Sequence, residues 1–263
     1  RDLAYERNGS VYFKVSEWQR YGELSGRNPD DLLEGTRVEV RTEKDDPRDF
    51  ALWKRAEKEH LMRWNSPWGD GFPGWHLECT VMSTKYLGKE FDIHGGGLDL
   101  VFPHHECELA QARGAGMPFA RFWLHWNMIT LGGEKMAKSK NHFISLRQLL
   151  TNHHPSEIRF HLLRSHYRSV SDFSEESLIS SAAGFKRLSD VHRTLISVSD
   201  QTDVTPDSMG PFGDYLNSFQ EALNDDLNTP KAIAVLFDAA REANHILAKG
   251  ETDFLSEAKF LFD

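Results

Sequence analysis

A thiol, an imidazole and a carboxylate, three groups that bind metals, lie in one stretch of this chain, from Gly74 to Glu108. Cys79 falls in a segment predicted to be helical, and His104 and Glu108 are four residues apart in a second helix, predicted to open near Pro103. Residues at positions i and i+4 share one face of a helix, so imidazole and carboxylate can converge on one point. With the cysteine sulfur brought in from the preceding helix, the donor set is one that suits zinc.

The segments between these helices should hold the ligands in place. A buried strand over Phe91–Ile93 is expected to end at the run His94–Gly97. The spacing leaves alternatives open, because a single cysteine or histidine is more often a packed or surface residue than a ligand. His105 and Cys107 also lie within one helical turn of His104. On the residues alone, a zinc site and ordinary packing carry equal weight.

Two further patterns are suited to phosphate. Gly95, Gly96 and Gly97 would let a ligand approach the backbone, because no Cβ stands in the way, although a triple glycine also suits a plain tight turn. Lys135 and Lys138 are three residues apart in a loop that begins with two glycines. Their ammonium groups could close on a polyphosphate in its transition state. By charge pattern alone, a solvated lysine-rich loop is the more common case.

The composition is that of an ordinary globular protein of 263 residues with a formal net charge of -9. That charge argues against a general nucleic-acid binder but leaves room for a local basic face. The sequence has neither an apolar run long enough to span a bilayer nor a charged-then-apolar leader, so we expect a cytoplasmic protein. Two cysteines fit a reducing compartment. The chain opens with Arg1 and has no methionine before Met62, which indicates a piece of something longer.

The N-terminal segment is predicted to form a small β-rich module. Asn8-Gly9 stands between two alternating runs within Ala4–Val15, which is a strong hairpin signal. Gly35–Arg41 and Asp49–Lys54 are predicted to be further strands, with turn chemistry at Asp45-Asp46-Pro47 between them.

The middle of the chain alternates helix, strand, helix and strand, as expected of a parallel α/β sheet. Asn127–Leu131 is predicted to be the last strand, and ligands of such sheets bind beyond the carboxyl ends of the strands. The loop Trp64–Trp75 contains three tryptophans, which would either line a pocket or cap the core.

After Ser145 the chain is predicted to be helical, with Pro155 at a helix start and Ser174 as a helix cap. A polar linker over Gln201–Pro211 precedes two amphipathic helices, so the end of the chain is predicted to be an α-bundle. These helices are expected at Phe212–Leu223 and Pro230–Ala248. A concentration of positive charge before the bundle is the best candidate for touching a phosphate backbone. Its residues are Arg159, His161, Arg164, His166 and Arg168.

Five stretches of the sequence resemble one family. They are GWHLECT, FDIHGGGLDLVFPHHECELAQ, the KMAKS loop, HYRSVSDFSEESL and LNDDLNTPKAIAVLFDAARE. Together they are similar to cysteinyl-tRNA synthetases, which are class I aminoacyl-tRNA synthetases. The resemblance implies an α/β fold in which the second half of a Rossmann-type catalytic domain has a β-rich insertion before it and an α-helical bundle after it. The implied domains are residues 1–48 (connective insertion), 49–144 (catalytic half), 145–173 (stem-contact region) and 174–263 (bundle).

The resemblance also implies a reaction, in which cysteine and ATP give cysteinyl-adenylate and the cysteinyl group passes to its tRNA. Zn2+ is the implied cofactor, Mg2+ accompanies ATP, and the enzyme is expected to be a monomer. By resemblance, the zinc ligands are Cys79, His104 and Glu108, not His105 or Cys107. The matched lysines of the phosphate-stabilising loop are Lys135 and Lys138, and the matched cysteine and adenylate pocket comprises Trp75, His94, Gly95, Gly96 and Gly97.

The chain departs from the family pattern upstream, where a further zinc-binding cysteine and a His-x-Gly-His nucleotide signature are not found. We therefore expect this piece alone not to activate cysteine. Ala137 replaces a serine of the lysine loop, and Phe72 stands where arginine is frequent. Two other hypotheses are the related ligase that joins cysteine to an aminosugar in mycothiol synthesis, against which Glu108 and the bundle argue, and a non-catalytic module that keeps the metal and only holds RNA.

Overall fold

The computed structural model describes residues 2–28, 43–136, 143–198, 210–251 and 254–263. The chain is a mixed α/β protein that divides into two compact units, Arg1–Trp126 and Asn127–Asp263. The strand expected at Gly35–Arg41 and most of the linker expected at Gln201–Pro211 lie outside the described residues. The domain boundaries expected after residues 48, 144 and 173 stay predictions. Among the helices that are described, none has the length and apolar character needed to cross a bilayer.

The first unit opens with four antiparallel strands. They are β1 (Ala4–Arg7), β2 (Ser10–Phe13), β3 (Phe50–Arg55) and β4 (Gly71–Pro73), and they pair in the order β1-β2-β3-β4. Asn8 and Gly9 have positive φ angles of 54° and 83°, as a two-residue hairpin turn requires. The predicted hairpin is therefore confirmed, and β3 confirms the strand expected at Asp49–Lys54.

Helix and strand then alternate in the same unit. The elements are α1 (Trp75–Tyr86), β5 (Glu90–Gly97), α2 (Glu106–Gly114) and β6 (Phe119–Trp126). β5 and β6 are parallel neighbours, and their pairing continues through the glycine run to Gly97 opposite Trp126. The strand expected over Phe91–Ile93 exists but continues through the glycine run, because a backbone ladder needs no side chains, and the expected burial of Ile93 is wrong. The prediction that this alternation ends on Asn127–Leu131 is also wrong, since β6 is the strand that pairs with β5.

The connection from β5 to α2 is irregular. Leu98–Leu100 forms a 3-10 turn, and Val101–His105 forms a wide helical turn in which Phe102 is extended, with φ -140° and ψ 131°. A residue before proline is disfavoured in the helical region, which explains the break before Pro103. α2 therefore begins at Glu106, later than expected.

α2 is packed on both sides, which buries its polar residues together with its apolar ones. Leu109 and Ala112 face Phe91 and Phe119 of the parallel strands. Cys107 and Ala110 face a cluster from the antiparallel sheet and the turn that follows β2. Its members are Phe13, Val15, Tyr21 and Phe50. Within the part of the chain that the structure describes, Ile93 of β5 and its register partner Phe122 of β6 are 63% and 68% exposed.

The second unit begins with a three-stranded sheet. Its strands are β7 (Ile129–Leu131), β8 (Glu134–Lys135) and β9 (Ser171–Asp172), in the order β8-β7-β9. β7 is antiparallel to β8 and parallel to β9. The strand predicted at Asn127–Leu131 thus exists as β7, in a different sheet from β5.

Six helices complete the described part of the second unit. They are α3 (Leu146–Asn152), α4 (Pro155–Leu163), α5 (Glu175–Val198), α6 (Gly210–Asn224), α7 (Thr229–Ala248) and α8 (Leu255–Phe262). Ser145 caps α3 in a capping box with Gln148, and the hydroxyl of Ser174 accepts the Ser177 N–H at the start of α5. The predicted helix starts and the predicted α-bundle are confirmed, whereas α8 was not anticipated.

Candidate metal centre

Three elements of the first unit present the predicted metal ligands. Cys79 lies in the second turn of α1, His104 in the irregular turn before α2, and Glu108 in the first turn of α2. α1 can begin directly after β4 because Gly74 brings its backbone against β3, where a Cβ would stand 2.1 Å from the Ala51 carbonyl oxygen. The local sequence therefore fixes where the cysteine-bearing helix starts.

The predicted ligand set converges. The Sγ of Cys79, a ring nitrogen of His104 and a carboxylate oxygen of Glu108 all lie within 4.8 Å of one another. Glu108 Oε1 is 2.8 Å from Nε2 of His104, as the i,i+4 spacing predicts. The Glu108 side chain has no solvent exposure and that of His104 only 6%, while Cys79 is half-buried.

A second group shares the same carboxylate. Glu108 Oε2 is 3.1 Å from Nε2 of His94, and ligand atoms of His94, His105 and Glu108 also lie within 4.8 Å of one another. His105 Nδ1 is 2.7 Å from Nε2 of His125 on β6. The structure therefore separates the two adjacent histidines, since His104 faces Cys79 and His105 faces His94.

Cys107 does not join either group. Its sulfur is fully buried and lies 3.2 Å from the hydroxyl of Tyr21, within the apolar cluster on the other side of α2. Burial raises the pKa of the Cys107 thiol strongly. The alternative in which Cys107 faces a metal with His104 is wrong.

Burial favours the neutral form of three imidazoles at this centre, those of His104, His105 and His76. It lowers the pKa of His104, that of His105 to about 3 and that of His76 to about 4. A neutral imidazole has one nitrogen lone pair free to bind a metal. Nδ1 of His104 lies 2.7 Å from Nδ1 of His76, so an Nδ1–H donated by His104 would leave its Nε2 lone pair facing Glu108.

The thiol of Cys79 is held in its protonated form. Burial raises its pKa, and the negative charges of Glu108 and Glu78 raise it further. A metal binds the thiolate, so binding at Cys79 must release a proton.

The surroundings of the Glu108 carboxylate show whether a metal ion would fit this centre. Both of its oxygens are buried and neither has a hydrogen-bond partner, although imidazole nitrogens approach to 2.8 and 3.1 Å. A buried carboxylate without hydrogen bonds is costly, and a cation is one way to compensate it. Sulfur, nitrogen and oxygen donors around such a carboxylate suit Zn2+.

Trp75 and His94, predicted to line a substrate pocket, both border this centre. Trp75 is the first residue of α1, its ring centroid is 4.1 Å from that of His104, and it is 57% exposed. His94 packs edge-on against Trp123, at 4.9 Å between centroids. One aromatic surface beside the centre is thus open to solvent.

The glycine run has a packing role that the sequence did not indicate. A Cβ on Gly96 would stand 2.8 Å from Cε1 of His105 and 2.9 Å from Cδ1 of Leu100. A Cβ on Gly95 would stand 3.0 Å from the Leu124 carbonyl oxygen. These glycines admit neighbouring parts of the protein, and contact of residues 95–97 with a nucleotide stays a prediction.

The two predicted lysines belong to the second unit. Lys135 is exposed on β8, where it pairs with Thr130 of β7. Lys138 lies outside the described residues. Their action on a polyphosphate stays a prediction.

The predicted basic patch is largely engaged in contacts within the second unit. His161 is buried, and its Nδ1 lies 2.9 Å from Oγ of Ser181. Arg168 donates to the Asp226 carboxylate at 2.6 Å, and His166 Nε2 lies 3.0 Å from the Asp226 carbonyl oxygen. His161 therefore offers no charge to an outside phosphate, and burial lowers its pKa.

His76, Trp123 and His125 were missed as neighbours of the centre. His76 directly follows Trp75, a residue already singled out, and that adjacency was an available signal. Trp123 and His125 alternate on β6, and only the pairing of β6 with β5 brings them beside His105, in the turn before α2.

Comparison with protein families gives two matches. The family described as tRNA synthetases class I (C) catalytic domain matches residues 1–183. The family described as DALR domain matches residues 218–263.

Comparison with individual proteins agrees with the first match. The chain is 55% identical over 251 residues to a cysteine–tRNA ligase of Deinococcus radiodurans, covering 94% of this chain and 50% of that protein. It is 50% identical over 264 residues to a cysteine–tRNA ligase of Thermus thermophilus, covering 100% of this chain and 55% of that protein. The chain thus spans about half the length of these relatives.

One solved structure supports the fold. It is the LeuRS of Agrobacterium radiobacter K84, in a ternary complex with tRNA and LeuAMS. The match has a TM-score of 0.55 at 13% sequence identity, and it covers 76% of this chain and 31% of the other. This likeness concerns the fold alone.

Proposed function

Because the chain belongs to the family of class I (C) tRNA synthetase catalytic domains, we propose that it is part of an ATP-dependent cysteine–tRNA ligase. Its parent would activate cysteine as cysteinyl-adenylate and transfer the cysteinyl group to the tRNA for cysteine. The relatives named cysteine–tRNA ligase support this proposal at 50–55% identity. We further propose that the parent acts as a monomer in the cytoplasm.

The observation that carries the proposal is the cradle formed by Cys79, His104 and Glu108. In it, the carboxylate of Glu108 is buried and lacks hydrogen bonds. These three residues would hold Zn2+, and a bound Zn2+ would take the thiol of the substrate as thiolate. His76 holds the imidazole of His104 through their Nδ1 atoms, at 2.7 Å. The exposed ring of Trp75 would cover the cysteine beside this cradle.

A zinc centre of this kind would select cysteine over serine. A pocket that only encloses a side chain discriminates weakly against an isostere. A centre that demands a thiolate does not accept a neutral hydroxyl in its place, because a thiol loses its proton far more readily than a hydroxyl. Selection at the first step would remove the need for later editing.

The remaining assignments follow the family resemblance. Lys135 and Lys138 would stabilise the transferring phosphate of ATP, with Mg2+ bound to the nucleotide. His94 and the glycines 95–97 would border the adenylate, since β5 ends there and ligands of parallel sheets lie at the carboxyl ends of strands. tRNA, L-cysteine and ATP are the proposed partners.

Cobalt substitution tests the cradle directly on this chain, because a thiolate bound to Co2+ gives a charge-transfer absorption. We expect the wild type to show that absorption and added L-cysteine to increase it, whereas L-serine leaves it unchanged. Cys79→Ser should lose the absorption that the protein itself contributes. Cys107→Ser is the matched control, because that thiol packs against Tyr21 and should not contact the metal.

Two outcomes would contradict the proposed cradle. One is a charge-transfer absorption that survives Cys79→Ser but disappears in Cys107→Ser. The other is an equal response to L-cysteine and L-serine.

A further inference from the structure

Asp172, on β9 of the second unit, joins the β7–β8 hairpin to the start of α5 through one side chain. Its Oδ1 accepts the Thr130 hydroxyl at 2.8 Å and the Gly133 N–H at 3.0 Å. Its Oδ2 accepts the Ser174 N–H at 3.2 Å. One oxygen therefore holds the β7–β8 hairpin, and the other holds the residue that caps α5.

The backbone around Asp172 reinforces the same junction. The Phe173 N–H donates to the Thr130 carbonyl at 2.9 Å, and the Ser177 hydroxyl donates to the Asp172 carbonyl at 2.8 Å. Phe173 is buried against Leu149, Ile158 and Leu178, so the junction is anchored in the helical core.

The hairpin needs such support because its strands are short and its turn consists of two glycines. Thr130 pairs with Lys135 and Leu131 with Glu134, and between them Gly132 and Gly133 have positive φ angles of 61° and 81°. Two glycines lose much conformational freedom on ordering, and an isolated two-stranded hairpin is marginal in water. The Asp172 carboxylate is bound at the two points that fix this turn, the Thr130 side chain and the Gly133 N–H.

The carboxylate is charged at neutral pH. The Gly133 N–H and then the hydroxyl of Thr130 lower the pKa of Asp172 to about 2. Hydrogen bonds to an ionised acceptor are stronger than those between neutral groups.

We propose that Asp172 is a positioning residue that fixes the β7–β8 hairpin, and with it Lys135, for the adenylyl-transfer step, in which the cysteine carboxylate displaces pyrophosphate from ATP. This inference rests on the proposed function, in which Lys135 stabilises the phosphate that is transferred. Asp172 does not touch ATP in this account. It acts by holding the strand that carries the lysine, since an error of about 1 Å at a catalytic group can cost about a hundredfold in rate.

The test is cysteine-dependent ATP–pyrophosphate exchange, measured at steady state. The protein assayed is the proposed parent ligase, which contains this chain and matches its relatives over their full length. Asp172→Ala should lower kcat by about tenfold to a hundredfold and leave the KM for cysteine unchanged. Asp172→Asn should stay within about threefold of wild type, because an amide oxygen can still accept from Thr130 and Gly133. Asp190→Ala is the matched control, an exposed carboxylate on α5 paired with Lys186 and Arg193, and should leave kcat unchanged.

A double-mutant cycle separates positioning from general destabilisation. If Asp172 acts through Lys135, adding Asp172→Ala to Lys135→Ala should cause little further loss of kcat. A merely structural role would instead give losses that multiply. If Asp172→Ala does not fold by circular dichroism, Thr130→Val replaces it, and it must also lower kcat.

The possible failures are distinguishable. Absence of cysteine-dependent exchange in the wild type would refute the proposed function. With an active wild type, two results would refute the inference alone. One is a kcat of Asp172→Ala, or of Thr130→Val in its place, equal to that of the Asp190→Ala control. The other is a double variant in which the loss of kcat multiplies with that of Lys135→Ala.

Discussion

At the scale of single residues, Gly96 shows how closely the histidines of the first unit are packed. His105 is 2% exposed, and its ring occupies the space that a Cβ at residue 96 would need. The same ring lies 2.7 Å from His125, so it cannot move away without breaking that contact. The glycine therefore supports the geometry around Glu108 without contacting the carboxylate itself.

We predict that Gly96→Ala destabilises the first unit by about 1–3 kcal/mol, the usual cost of overpacking. Gly97→Ala is the matched control, because its Cβ would meet only the side chain of Asp99, whose flexible far end, Oδ1, would stand 2.5 Å away. We expect Gly97→Ala to change the free energy of unfolding by about 0.5 kcal/mol or less. Urea unfolding followed by tryptophan fluorescence measures both, and equal effects would show that His105 yields easily.

Residue types and local spacing predicted part of the candidate site. The i,i+4 pair His104 and Glu108 needed only the geometry of one helical turn, and the structure keeps the two side chains 2.8 Å apart although α2 begins later than expected. The contact of His94 with Glu108 and that of His105 with His125 depend on how β5, β6 and α2 pack. No local pattern encodes that packing, so the second histidine group was not anticipated.

At the scale of elements, the turn before α7 is joined to the segment after α4 by one carboxylate. Asp226 accepts the Tyr167 hydroxyl at 2.5 Å and the Arg168 Nε at 2.6 Å. Arg168 first and Tyr167 second lower the pKa of Asp226 to about 2. Asp226 and Leu227 both have positive φ, so the turn adopts a backbone that non-glycine residues rarely adopt.

We predict that this contact loses its contribution to stability in acid. The pKa of Asp226 is lower in the folded chain than its ordinary value of 3.8, so the contribution is present above about pH 4 and is lost as the pH falls towards about 2. Thermal unfolding of wild type and Asp226→Asn, followed by circular dichroism, should differ modestly at pH 6 and converge by about pH 2. A difference that grows as the pH falls would contradict this account.

The sequence predicted where the helices start, because helix capping depends only on residues close in sequence. Ser145, Pro155 and Ser174 each stand where the structure begins a helix. β6 was missed because it is rich in aromatic residues and passes without a turn signal into Asn127, so its end and the start of β7 merged in the pattern. Strand pairing depends on partners distant in sequence, and this is where the prediction of sheet membership failed.

At the scale of the whole molecule, the two units carry different optical signals. All seven tryptophans lie before Asn127, within the first unit. Most of the described helix lies in the second unit, from α3 to α8. Fluorescence therefore reports on the unit with the candidate metal centre, and circular dichroism at the helix band reports mainly on the other.

We predict that chelation of zinc lowers the thermal midpoint seen by tryptophan fluorescence and leaves the midpoint seen by circular dichroism nearly unchanged. A ligand stabilises the folded state that binds it, by about 2.7 kcal/mol at a free concentration one hundred times its dissociation constant. Glu108→Gln should remove the response to chelator, because the variant lacks the buried charge that the metal would compensate. An equal shift of both midpoints would contradict this prediction. It would mean that the metal binds elsewhere or that the two units unfold together.

The exposed apolar pair Ile93 and Phe122 on β5 and β6 has a consequence for the solubility of the chain. Ile93 and Phe122 lie side by side on parallel strands, a kind of sheet that is normally covered on both faces. Exposed apolar surface of this kind favours self-association of the chain. The net charge of -9 opposes it, because like-charged copies repel one another. Salt weakens that repulsion, so dilute buffer should keep concentrated solutions clear for longer than saline.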